Sequence, residues 1–180
     1  LEAFAQQTEG KDFKLAAWDL DYYAERLKKA KYDLNEADLK PYLVLDSVLK
    51  NGVFYAANQL YGLTFKPRPD IPVYADGVQV YEVFDQDNTP MALFYTDYFR
   101  RPTKTGGAWM SNFVQQSTLF GTKPVIYNVC NFEAPAKGAP AFLTSSDVET
   151  LFHEFGHGLH HMLTQVDTLA VSGISGVEWD

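Results

Sequence analysis

The chain has 180 residues, 46% of them hydrophobic and 15% aromatic, which suits one folded domain with a real core and excludes a disordered polymer. Its formal net charge of -8 argues against nucleic acid as a partner, because phosphates need a basic face. No apolar run approaches the roughly 18 residues of a membrane helix, so a membrane partner is not expected either.

The first residues, "LEAFAQQTEGKDFK", have neither the basic start nor the apolar stretch of a signal peptide, and they lack an initiator Met. A start within a helix at Leu1 and a stop at "GVEWD" read as a piece of something longer. A single cysteine, Cys130, excludes an internal disulfide framework and fits a reducing compartment, so the cytoplasm is the expected location, with the periplasm as the alternative. The same thiol reads as a small core residue, with nothing nearby in sequence to activate it.

No repeat or linker interrupts the chain, which reads as one continuous unit. "WDLDYYAERLKKAKYDL" predicts a helix capped by Asp19 or Asp21, with Tyr22, Leu27 and Ala30 on one face. A second helical region is predicted from about Asn35 to Leu60, disturbed by Pro41 and by "KNG" at 50–52, and terminated by Gly62. The middle of the chain is β-branched and aromatic. "GVQVYEVFD" and "MALFYTDYF", separated by "QDNTP", predict a hairpin, and "KPVIYNVCNF" a third strand, placing a small sheet near residues 78–84, 91–99 and 124–132. The third of these strands is a candidate sheet edge for an added peptide strand, with an internal core strand as the equal alternative. Gly106-Gly107 and "SGISG" (172–176) read as ordinary turns or as hinge loops. A predominantly helical α+β domain is expected.

All four histidines lie between positions 153 and 161, in "TLFHEFGHGLHHML". A capping box of Ser146 and Glu149 predicts the start of this helix. At about 100° per residue, Val148, Leu151, Phe152, Phe155, Leu159, Met162, Leu163 and Val166 form one apolar arc, while His153, His157 and His160 gather on the other side. His153 and His157, one turn apart, are spaced as two ligands of a tetrahedral Zn²⁺. Glu154 lies roughly 100° round from His153, beside the metal rather than on it. There it is placed to take a proton from a water whose pKa the metal lowers to about 7 and to pass it to the leaving amine. Pairs of surface histidines arise by chance, but here the amphipathic helix, the well-placed glutamate and the absence of histidine elsewhere point to a metal site. His160 reads as a hydrogen-bonding neighbour of the site rather than a third ligand, and His161 as exposed. Gly156 is the expected point of close approach to the helix. On spacing alone Glu178, 21 residues after His157, is a candidate third ligand.

"TLFHEFGHGLHHML" followed by "VSGISGVEWD" resembles the thimet-oligopeptidase-like family of zinc peptidases. "FYTDYFRRPTKTGGAWMSNFVQQSTLFGTKPVIYNVCNF" and "LKPYLVLDSVLKNGVFYAANQLYGLTF" resemble its peptidyl-dipeptidase (dipeptidyl carboxypeptidase) branch, and "GLHHMLTQVDTLAVSGISGV" the oligopeptidase A branch. The resemblance covers essentially the whole chain. It implies a zincin-like catalytic core, part of a larger, mostly helical enzyme split by a deep channel, with the zinc helix on its floor. It matches His153 and His157 to the zinc ligands and Glu154 to the catalytic glutamate. The family's third ligand is a glutamate in a "D-x-V-E" context that would begin at Asp180, about three residues beyond the last residue here, which leaves Glu178 the less favoured alternative. The family's substrate-clamping tyrosines lie further downstream. The implied activity is hydrolysis of short peptides, releasing C-terminal dipeptides in one branch or cutting internally in the other. A non-catalytic metal-binding module is the reading outside that class. The 180 residues alone are expected to hold zinc weakly and turn over little, because a catalytic zinc normally has three protein ligands.

Overall fold

A computed structural model describes residues 1–32, 36–175 and 177, with side chains left aside at 36 and 37. The chain divides into two compact units, Leu1–Tyr42 and Leu43–Asp180.

In the first unit, α1 (Glu2–Glu9) and α2 (Leu20–Tyr32) are followed by a short α3 (Glu36–Leu39) and a 3₁₀ turn at Lys40–Tyr42 that contains Pro41. Asp19 does cap, but for the 3₁₀ turn Ala17–Asp19 leading into α2, where its carboxylate accepts from the Ala16 amide at 3.1 Å. The buried face of α2 differs from the expected one. Tyr23 is turned in against Phe13, ring centroids 5.5 Å apart, whereas Tyr22 stays 59% exposed and Ala30 is exposed. An aromatic partner, rather than helical spacing, selects which tyrosine is buried. The expected start of the next helix at Asn35 lies outside the described residues.

The second unit opens with one continuous helical path. It runs through α4 (Leu45–Ser47), a π-helical stretch (Val48–Phe54) and α5 (Tyr55–Tyr61), and ends where Gly62 adopts the left-handed conformation at φ 74°. The "KNG" irregularity falls in the π stretch. Leu45, Leu49, Val53 and Ala57 are all buried at four-residue intervals. In a regular α-helix four residues overshoot a turn by about 40°, so such a stripe would drift; the wider π turn winds it back onto one side.

Five strands follow: β1 (Thr64–Pro67), β2 (Gln79–Phe84), β3 (Pro90–Phe99), β4 (Trp109–Val114) and β5 (Val125–Phe132). They form one sheet in the order β1-β2-β3-β5-β4, antiparallel except for the parallel β3–β5 pair. The hairpin and the third strand stand where the sequence places them. Asn88, at φ 63°, and the Thr89 amide donating to Asp87 Oδ1 at 2.8 Å build the hairpin turn. Two strands escape the sequence reading. β1 is only four residues long, and β4 ("WMSNFV") is half-buried without clean alternation. Since β4 pairs with β5, the second of the two readings of "PVIYNVCNF" holds: β5 is an internal strand, and β4 is the outer strand beside it. Between β3 and β4 the buried Asp97 carboxylate accepts from Arg101 at 2.7 and 2.9 Å, from Lys104 Nζ at 2.9 Å and from the Tyr74 hydroxyl at 3.1 Å. Burial opposes its charge, but the two cations outweigh that and hold the carboxyl below its usual range. This cluster fixes the turn that brings the chain round to β4.

The last helix, α6 (Ser145–Leu163), packs on β5 and β4. Phe155 meets Phe94 of β3, centroids 5.6 Å apart, while Leu151, Phe155 and Met162 join Leu49, Val53, Ile126 and Cys130 in the core. The cap is two residues earlier than the sequence reading put it. Thr144 Oγ1 accepts from the Asp147 amide at 3.1 Å, and Asp147 Oδ2 accepts from the Thr144 amide at 2.9 Å. A carboxylate one carbon shorter than glutamate does the reciprocal bonding, and Ser146 is left exposed. Thr144→Ala is therefore expected to cost about 1 kcal/mol of stability, and Ser146→Ala less than about 0.5 kcal/mol, in paired urea unfolding experiments.

Candidate metal centre

Two turns of α6 carry the residues expected to form the site. His153 is exposed, His157 is half-buried, and Glu154 is buried at 7% exposure. The two imidazoles converge as their spacing requires, with Nε2 atoms 3.0 Å apart, ring centroids 4.6 Å apart and ring planes at 86°. Two nitrogens on one tetrahedral zinc, each at about 2.0–2.1 Å, lie about 3.4 Å apart, so a small side-chain rotation opens the pair to metal-ligand geometry. Both ring nitrogens point at one place, and imidazole suits zinc. The residues present thus fit one half of a zinc shell. Among the described residues no cluster of three or more His, Cys, Asp or Glu forms around them. Glu178, the alternative third ligand, lies outside the described residues.

The glycine that matters on this helix is not Gly156, which is exposed with no atom within 4 Å of a Cβ built on it. It is Gly158. A Cβ there would stand 3.2 Å from Ile126 Cδ1 and 3.3 Å from Asn128 Oδ1, both on β5. Close approach is needed on the sheet side of the helix, where the backbone of α6 lies down on its bed. Cys130, one more alternate position along β5, is fully buried as expected, and burial, aided by the negative charge of Glu154, pushes its thiol up to about 12. It is inert core.

Phe152 and His161 exchange the environments expected of them. Phe152 is 40% exposed, near Gly52. His161 is only 6% exposed, because the chain after α6 folds back over it and Gly173, at φ 68°, lies against its ring. A Cβ on Gly173 would collide with His161 Nε2. The sequence shows the glycine, but only the fold-back shows what it faces. His160 is exposed, and its carbonyl accepts from the Thr164 hydroxyl at 2.7 Å.

Comparison with known proteins identifies the family. The model of peptidase family M3 matches residues 1–180. The chain is 55% identical to the dipeptidyl carboxypeptidase of Salmonella typhimurium over 161 residues, 89% of this chain and 24% of that protein. It is 45% identical to oligopeptidase A of Escherichia coli over 183 residues, 100% of this chain and 27% of that protein. A probable thimet oligopeptidase of Arabidopsis thaliana is 28% identical over 179 residues, 97% of this chain and 25% of that protein. The helix bearing an HExxH motif beside a mixed sheet stands in a chain whose relatives are named as peptidases. The chain belongs to peptidase family M3 and spans about a quarter of the length of the relatives it matches.

His161 gives the site a pH dependence that can be measured. Burial pushes its pKa below the ordinary value. The unfolded chain takes up the proton near pH 6.5, whereas the folded chain does so only at lower pH. Stability that is fully present above about 6.5 is therefore lost as the pH falls below it, with a slope of at most about 1.4 kcal/mol per pH unit for one proton. Urea unfolding between pH 7 and 5.5 is expected to show a larger loss for the wild-type chain than for His161→Phe.

Proposed function

We propose that the complete protein is a zinc-dependent peptidase acting on short peptides and releasing C-terminal dipeptides. The single observation carrying this reading is the convergence of His153 and His157 Nε2 at 3.0 Å with Glu154 on the next position of the same helix. The higher identity to the dipeptidyl carboxypeptidase supports dipeptide release. The likeness to oligopeptidase A over the full chain favours internal cleavage as the second reading.

His153 and His157 would hold the ion, each through Nε2, and a glutamate from a following segment would complete the set, as in zinc sites with two His and one Glu. A zinc ion so held supplies Lewis acidity, polarising a carbonyl oxygen and lowering the pKa of a water to about 7. Glu154 accepts the proton of the attacking water on its carboxylate and returns it to the leaving amine nitrogen. His160, on the same side of the helix as His153 and His157, would be the hydrogen-bonding neighbour at the margin of the site. The substrate lies extended along the outer strand β4, its main chain pairing with Trp109–Val114, so that α6 and the sheet edge together orient the scissile carbonyl.

In the complete enzyme His153→Ala is expected to abolish zinc binding. Glu154→Gln keeps the shape and removes the base, so zinc is expected to stay while turnover falls by about 10²-fold or more. Metal analysis beside kcat for both variants checks this, and equal metal loss in both would make Glu154 a structural residue. Product analysis of N-blocked and C-amidated peptides separates the two cleavage modes, since an amidated C-terminus blocks dipeptide release and spares internal cleavage.

A further inference from the structure

Where α6 ends, three segments are tied together by bonds that neither the ladder of the sheet nor the helix supplies. Gln115, the residue after β4, donates both side-chain N–H groups to the chain that returns after α6, to the Leu169 carbonyl at 3.3 Å and the Ser172 carbonyl at 3.0 Å. Ser172, 1% exposed, points its hydroxyl back at Gln116, 3.3 Å from both the backbone and the side-chain oxygen. The same returning segment is locked to the helix. The Gly173 amide donates to Thr164 Oγ1 at 3.1 Å, Thr164 donates to the His160 carbonyl, and His161 fills the space over Gly173. On the other side the Thr122 hydroxyl donates to the Gln115 carbonyl at 2.9 Å, holding Gln115 from the turn that follows it. Its side chain therefore ties the end of the outer strand to the returning segment, which the Gly173–Thr164 bond in turn ties to the end of the helix bearing the histidines.

We infer that Gln115 is a positioning residue for peptide hydrolysis. It fixes the register of β4 against α6, so that a peptide paired with β4 brings its scissile carbonyl to the face of His153 and His157. The inference rests on the proposed peptidase reading. β4 is hydrogen-bonded within the sheet to β5 alone. Without the clasp of the two Gln115 bonds its free end keeps only the Ser172 hydroxyl contact at Gln116 to the returning segment, and a displacement of about 1 Å at a reacting carbonyl costs up to about 10²-fold in rate. The metal pair itself does not need the clasp, because one helix supplies both histidines.

The test uses the full-length enzyme with Gln115→Met, which keeps the length and removes both donors, and Gln115→Glu, which sets a carboxylate against two carbonyls. Zinc affinity by chelator competition, thermal unfolding, and kcat and KM on an extended peptide are measured together. The expected result is kcat/KM lower by about tenfold to a hundredfold, more for Glu than for Met, with zinc affinity within about twofold of wild type and at a temperature where both variants remain folded. Wild-type kcat/KM in both variants, a fall in zinc affinity that tracks the fall in rate, or a loss confined to temperatures of partial unfolding would each overturn it. A wild-type enzyme with no chelator-sensitive peptidase activity would instead overturn the peptidase reading, and this inference with it.

Discussion

Gly158 has no side chain, and Ile126 and Asn128 on β5 occupy the room that one would need. The backbone of α6 is therefore pressed onto the sheet at the level just above His157. From that contact the rest of the site takes its orientation. With one face held down, Leu151, Phe155 and Met162 enter the core, Glu154 is buried on the flank, and His153 is directed outward. Rotation of the helix by a single residue position, about 100°, would bury the two histidines and expose the core. Thr144 and Asp147 set where the helix starts, and Phe155 against Phe94 sets which way it faces.

The sheet has to be firm for that contact to mean anything. β5 is held on both sides, parallel to β3 and antiparallel to β4. The buried Asp97 with Arg101 and Lys104 anchors the crossing from β3 towards β4. Removing one member of such a cluster leaves a charge without its partner in a low-dielectric place, which makes it costlier to break than a surface ion pair. The acidic chain thus keeps one of its few concentrations of positive charge for a purely architectural task.

Patterns local to one element were legible in the sequence. The hairpin around Asp87 and Asn88, the strand at Val125–Phe132, the Gly62 helix end and the pairing of His153 with His157 each depend on residues a few positions apart. What the sequence hid depends on neighbours distant along the chain. Tyr23 rather than Tyr22 is buried because Phe13 stands opposite. β4 shows no clean alternation because it is an outer strand, half-covered on both faces. His161 reads as exposed on a helical wheel, and becomes buried only because residues 164–173 return over it. Gly158 and Gly156 are indistinguishable by spacing; the side chains of β5 distinguish them.

The parallel pairing of β3 with β5 also orders events in time. Leu93 meets Val125 across more than thirty residues of chain, and β4 lies in between, so the bed of α6 closes only after a long loop has been ordered. The two histidines need no such closure, since they meet as soon as two turns of α6 form. Synthesis runs the other way, since β3, β4 and β5 all precede α6 along the chain and the bed can close before the helix that lies on it is complete. The convergence of the two histidines is thus a local property of one helix, whereas the bed beneath them is a product of distant closure.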